Sequence, residues 1–200
     1  RLYEMLESRP ADRLWLTGFL TLSSHEPFEV PYNRLKDKRQ NSFAYTDHCL
    51  GEFIDRLKQL PVWNNLLVIC LPDHGSSPTF NVTSPTFYHI PMLWLGGAIK
   101  APAVIHTLMN QSDMPATLLG QLGLPHQDFK YSRNIFSTSY TYPFAYSTFS
   151  DGFMFKDSTG VTIFDNAARK PVYNEPAPDG AREEKGMAIL QTSYDQLGEN

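Results

Sequence analysis

A chain of 200 residues, 42% hydrophobic and 13% aromatic, can bury a core the size of one α/β domain or a large part of one, which excludes general disorder. Its 17 basic and 21 acidic residues give a net charge of −4, with no long run of either sign. That balance excludes a nucleic-acid partner, since phosphate-backbone binding needs a basic face, and no apolar stretch approaches the roughly 18–20 residues needed to cross a bilayer.

The chain opens at Arg1 inside an amphipathic segment, residues 1–9, that reads as the end of a helix stopped near Pro10. With no initiating Met, the sequence is expected to be a piece of a longer protein. Residues 14–22 form a continuous apolar run, from Leu14 to Leu22, of a length and setting that predict a strand buried on both faces. A polar turn follows, Ser23-Ser24-His25-Glu26-Pro27-Phe28. From Asn41 to Leu60 the apolar period becomes helical, with Phe43, Leu50, Phe53, Ile54 and Leu57 on one face. Pro61 stops that helix. Residues 66–71 predict a second buried strand running directly into Pro72-Asp73-His74-Gly75, and residues 91–95 a third, closed by Gly96-Gly97. Ser112-Asp113 offers a cap to a helix through Leu122 that ends at Gly123.

Beyond about residue 140 the pattern changes to four short apolar segments, 144–149, 153–156, 161–165 and 171–174, divided by turn sequences. These predict an antiparallel meander. A last amphipathic helix, 181–197, is expected to turn Met187, Leu190, Tyr194 and Leu197 inward. The fold class read from this order is α/β: a helix-covered, mostly parallel sheet over residues 1–139, then a small antiparallel meander and a C-terminal helix over 140–200. Cys49 and Cys70 sit within apolar patterns and read as small buried hydrophobes.

The chemistry concentrates at strand ends. In open α/β sheets ligand groups collect at the carboxyl edge, where Asp73 and His74 offer an oxygen and a nitrogen, a mixed set suited to zinc or manganese. Taken alone, an Asp-His pair in a loop is more often a capped turn. His25 follows the first predicted strand as His74 follows the second, and His89 precedes the third. His48, His106 and His126 read as surface or core histidines. Trp15, Trp63 and Trp94 could stack on a sugar, but their places within or beside predicted strands favour core packing.

The succession Leu20-Thr21-Leu22-Ser23-Ser24-His25-Glu26-Pro27-Phe28, Tyr45-Thr46-Asp47-His48, Leu66-Leu67-Val68-Ile69-Cys70-Leu71-Pro72-Asp73-His74-Gly75 and His89-Ile90-Pro91-Met92 resembles the alkaline phosphatase/sulfatase superfamily. Within it the chain looks most like the lipoteichoic acid synthase group, and Gln111-Ser112-Asp113-Met114-Pro115-Ala116-Thr117 and Phe149-Ser150-Asp151-Gly152-Phe153 fit as well. The resemblance implies that Asp73 and His74 are metal ligands, with manganese or zinc as the metal and magnesium or calcium as alternatives. It implies substrate contacts for His25, Ser77 and His89, and scaffold roles for Asp47, Asp113 and Thr117. The family's nucleophile and an acidic metal ligand lie upstream of its Ser-His turn, so no catalytic nucleophile is expected within this chain, and the chain alone is expected to be inactive. The implied parent is a metal-dependent phosphotransferase or hydrolase. It would act on a phospholipid head group, glycan or sulfate ester at the extracytoplasmic face of a bacterial cytoplasmic membrane, tethered through upstream transmembrane segments. The alternative is a degenerate module that binds a glycan or lipid head group without turnover.

Overall fold

The computed structural model describes residues 1–10, 13–76 and 81–198. They form two compact units, one of residues 1–70 with 92–102, the other of residues 71–91 with 103–200.

The first unit is built on helix α2, Lys38–Leu57. It begins where Asp37 Oδ1 accepts the amide of Gln40 at 2.8 Å, an N-cap that starts the helix earlier than the apolar period indicates. Buried Asn41 then ties the preceding loop to this first turn: its Nδ2 donates to Tyr32 O at 2.6 Å, and its Oδ1 accepts from the amides of Arg34 and Leu35. Helix α1, Leu2–Glu7, contributes Leu6 to a core with Leu57 and Leu66, against which Trp15, Phe53, Ile54 and Trp63 pack. The tryptophans Trp15 and Trp63 are thus core residues, as their strand-like setting suggests. Phe43, expected on the inner face, is exposed beneath the Arg39 guanidinium.

A short 3-10 turn, Pro61–Asn65, leads to strand β1, Val68–Cys70, which pairs with β2, Leu93–Leu95. The pairing is antiparallel, with Ile69 opposite Trp94, so the expected mostly parallel sheet is not what the described residues form. The predicted strand over residues 14–22 is also corrected: this segment has no regular secondary structure and joins no sheet among the described residues. Only Trp15 and Thr17 are half-buried, while Leu14 and Leu16 are 105% and 89% exposed and residues 18–22 are exposed as well, so the burial on two faces that the run predicts is not found. A continuous apolar run shows that both faces are fit for burial; it cannot show that both are covered. Cys49 and Cys70 are free thiols, half-buried where full burial was expected, and desolvation pushes the Cys70 thiol up.

The second unit holds the loop after β1, a 3-10 turn at Pro85–Tyr88, helix α3 (Met114–Gln121) and the meander. Asp113 is fully buried and forms a reciprocal capping box with Asn110. Its carboxylate also takes a two-pronged contact from Arg133, with Nε to Oδ1 at 2.9 Å and Nη2 to Oδ2 at 2.6 Å. Thr117 bonds the 133–135 backbone, donating to Arg133 O and accepting from the Ile135 amide. The scaffold reading of Asp113 and Thr117 therefore stands.

Strands β3 (Ala145–Phe149), β4 (Gly152–Asp157), β5 (Gly160–Asp165) and β6 (Lys170–Glu175) form the antiparallel sheet in sequence order. Phe153, Phe155 and Phe164 make its core. Helix α4, Gly180–Gly198, packs on β4 and β5. Its inner stripe differs from the expected one: Met187, Tyr194 and Leu197 are exposed, while Arg182, Gly186, Ile189 and Leu190 face the sheet. Gly186 sets this rotation, because a Cβ there would collide with the Phe153 ring. Arg182, 2% exposed, is satisfied all round. Nε donates to Thr162 Oγ1, Nη1 to Thr159 O, Thr159 Oγ1 and Asp179 Oδ2, and Nη2 to Asn174 Oδ1 and Ala177 O. A buried guanidinium at an apolar-stripe position is invisible to a hydrophobic count. No described helix is long and apolar enough to cross a membrane.

Candidate metal and ester site

The loop 72–76 presents Asp73 and His74 to solvent, with side chains 75% and 63% exposed. Its backbone is held from below. Gln111 Nε2 donates to Pro72 O at 2.8 Å and to Asp73 O at 3.2 Å. Gly75 lies so close to Phe87 O, in the 3-10 turn, that any Cβ would overlap that carbonyl. Glycine after the Asp-His pair is a steric requirement here, because two backbones touch.

The pair is locally ordered. Asp73 Oδ1 accepts the His74 amide at 3.0 Å, the capped turn that Asp favours in loops. His74 Nδ1 lies 2.7 Å from Gly75 O. A carbonyl can only accept, so Nδ1 carries a proton, and in the neutral imidazole Nε2 is the atom with the lone pair. Nε2 stands 3.8 Å from Asp73 Oδ2. Turn and ligand readings are therefore compatible: one carboxylate oxygen caps, while the other and an unprotonated imidazole nitrogen remain on the same side. A carboxylate oxygen with an imidazole whose second nitrogen is bonded to a carbonyl fits a divalent cation in donor chemistry. It supplies two of the usual four positions of a zinc site.

His25 shows the same device. Its Nδ1 lies 3.0 Å from Glu26 O, so in the neutral imidazole the lone pair is on Nε2. The turn carrying it closes through His25 N to Leu22 O and Phe28 N to His25 O, and Phe28 adopts a positive φ of 59°. Ser23 Oγ and Thr46 Oγ1, 2.7 Å apart, tie the turn to α2.

Asp73 and His74 are thus brought together in the second unit, where exposed His89 also lies; His25 belongs to the first. His89 follows the 85–88 turn and does not join the pair, since no group of three or more His, Cys, Asp or Glu side chains in metal-binding proximity occurs among the described residues. Ser77 lies outside the described residues. His48 stacks on Tyr32 and sits 3.3 Å from Glu52, a surface arrangement. The supporting role of Gln111 was not legible in the sequence: 38 residues separate it from Asp73, and no spacing signals the contact.

The sequence model of the Sulfatase family matches residues 1–124. Arylsulfatase K of Canis lupus familiaris is 34% identical over 91 residues, covering 41% of this chain and 16% of that protein. A crystal structure of a protein in the alkaline phosphatase superfamily from Vibrio parahaemolyticus superposes with a TM-score of 0.64 at 21% identity, covering 88% of this chain and 48% of that one. The chain therefore spans less than half the length of either relative. The α/β fold is that of the alkaline phosphatase superfamily, and the chain belongs to the sulfatase family.

Proposed function

We propose that this chain is the C-terminal part of an extracytoplasmic, metal-dependent enzyme that cleaves a sulfate or phosphate ester, and that Asp73 and His74 are its contribution to the metal site. The observation that carries the reading is the His74 Nδ1–Gly75 O bond, which in the neutral imidazole leaves the lone pair on Nε2, 3.8 Å from Asp73 Oδ2. Asp73 Oδ2 and His74 Nε2 would hold the cation. Bound there, a divalent ion neutralises charge on the ester oxygens and lowers the pKa of an attacking hydroxyl.

The chain's own residues orient and position. Gln111 and Gly75 keep the loop from shifting, and Asp73 caps the turn that presents His74. His25, its proton held on Nδ1, offers Nε2 as an acceptor to a protonated ester or leaving-group oxygen. Once protonated at Nε2 as well, it is a cation that donates to an anionic ester oxygen. Ser77 and His89 are further substrate contacts in this reading, and the nucleophile comes from sequence outside residues 1–200. Membership in the sulfatase family and likeness to an arylsulfatase favour water as the acceptor. Glycerophosphotransfer of the lipoteichoic acid synthase kind is the second reading, favoured by the Ser-His turn and the Phe149–Phe153 motif.

The test is turnover of a chromogenic sulfate ester and a chromogenic phosphate ester with manganese or zinc. The 200-residue chain should stay at background. The same chain expressed with its upstream sequence should turn over one ester, and Asp73→Ala or His74→Ala should abolish metal binding and turnover together. Metal-dependent activity of the short chain that vanishes in Asp73→Ala would place a whole active site within residues 1–200. Inactivity of both forms, with binding of a glycan or lipid head group that Asp73→Ala or His74→Ala abolishes, would support a binding module.

A further inference from the structure

The second unit contains a cleft of about 380 Å³, lined by residues 126–144 and by none of the metal or substrate candidates named above. Its size falls within the range of small-molecule sites, about 300–1,000 Å³. Three properties of its walls define what it would hold.

The first is charge. Arg133 lines the cleft, but its guanidinium is forked onto buried Asp113 and also bonds Phe144 O at 2.9 Å. The cation is cancelled where it stands, so the wall is polar with little net charge. The second is a rigid exposed ring. Tyr142 is 42% exposed, yet its hydroxyl donates to Asp157 Oδ2 at 2.5 Å and accepts from Lys185 Nζ at 2.6 Å. Two charge-assisted bonds, the Lys185 ammonium 4.6 Å from the ring centroid and the Phe144 ring beside it fix a partly exposed ring, and such a ring binds with little loss of freedom. The third is a mixed rim. Ser137 and Ser139 share a 2.8 Å hydroxyl bond whose direction can reverse, while the Thr141 hydroxyl and the Asn134 amide nitrogen have no partner among the described residues. The rim therefore offers donors and acceptors interleaved around a ring edge.

We propose that this cleft binds a neutral sugar ring, stacked at Tyr142 and bonded through its hydroxyls to Asn134, the Ser137–Ser139 pair and Thr141. An anionic group gains little, because Arg133 is already neutralised; an apolar ligand would strand the rim. The inference is independent of the ester chemistry assigned to Asp73 and His74.

The test titrates the 200-residue chain with the methyl glycosides of glucose, galactose, mannose and N-acetylglucosamine, and with glucuronic acid, followed by saturation-transfer NMR and tyrosine chemical shifts. At least one neutral glycoside should bind saturably and shift Tyr142. Tyr142→Ala should weaken it about tenfold, and Tyr142→Phe, which keeps the ring, about threefold or less. Because Tyr142→Ala also disturbs Asp157, Thr141→Val is the second variant: it removes a hydroxyl the fold does not use and should weaken binding several-fold. The proposal is overturned if no neutral glycoside binds, if glucuronic acid binds about tenfold more tightly than any of them, or if Tyr142→Ala and Thr141→Val both bind as the parent does.

Discussion

The meander with α4 and the segment 14–22 are both rich in apolar residues, and they solve the problem of burial in opposite ways. In the meander Phe153, Phe155 and Ile163 are at most 1% exposed, each strand has its neighbour, and the helix closes the remaining face. In residues 14–22 Leu14, Leu16, Phe19, Leu20 and Leu22 are all at least 65% exposed, on a backbone that joins no ladder among the described residues. Large apolar side chains this exposed are left without the burial that favours folding. One region is a self-sufficient core; the other is half of one.

Four measurements break or sharpen that contrast. Arg182→Ala attacks the self-sufficient region most severely, since it strands Thr159, Thr162, Asn174 and Ala177 acceptors around a vacated buried site. The expected loss is about 3–5 kcal/mol by chemical denaturation; a loss below about 1 kcal/mol would show that the guanidinium is not what joins helix to sheet. Gly186→Val forces a side chain into the Phe153 ring and should cost up to about 3 kcal/mol. If it is neutral, α4 does not pack as closely as described.

The third measurement is acid unfolding. Burial alone would push the Asp157 carboxyl up, but hydrogen bonds from Thr159 and Tyr142 and the Lys185 charge win and hold it at about 2. A carboxyl lowered on folding stabilises the protein fully above its unfolded value of about 3.9. That contribution is lost as pH falls toward about 2, a difference of about 2 kcal/mol. Asp157→Asn should remove this part of the slope between roughly pH 4 and 2. A slope unchanged in the variant assigns the acid sensitivity to other carboxylates. The smallest effect belongs to the open region. Leu16→Lys should change unfolding free energy by about 0.5 kcal/mol or less while reducing self-association in light scattering. A loss beyond about 1 kcal/mol would mean that Leu16 is covered after all.

This contrast also explains what the sequence could and could not disclose. The meander was legible almost to the residue, because short apolar segments divided by Asp-Gly or Thr-Gly turns are local signals. The helix over residues 38–57 was legible in its body but not at its start, which depends on the Asp37 cap. Strand partners are non-local, so the antiparallel pairing of β1 with β2, and the lack of a partner for residues 14–22 among the described residues, had no signature in the apolar runs. The α4 stripe was misread for a related reason: Gly186 and Arg182 score as outward residues, yet one makes room for Phe153 and the other replaces hydrophobic packing with hydrogen bonds. At the site, Asp73-His74-Gly75 was visible as a motif, whereas the supports from Gln111 and the Phe87 carbonyl come from the fold.

Arg182 has a further consequence for the order in which the chain opens. Its acceptors are drawn from β5, β6, the 157–160 turn and the linker before α4, so the helix cannot peel away without stranding groups in all four places at once. Amide protons of α4 around Arg182 and of the facing strands should therefore exchange with solvent at one shared rate, as a single cooperative unit. The outer turns of the same helix, beyond Leu190, should exchange early and independently, because no such bolt reaches them.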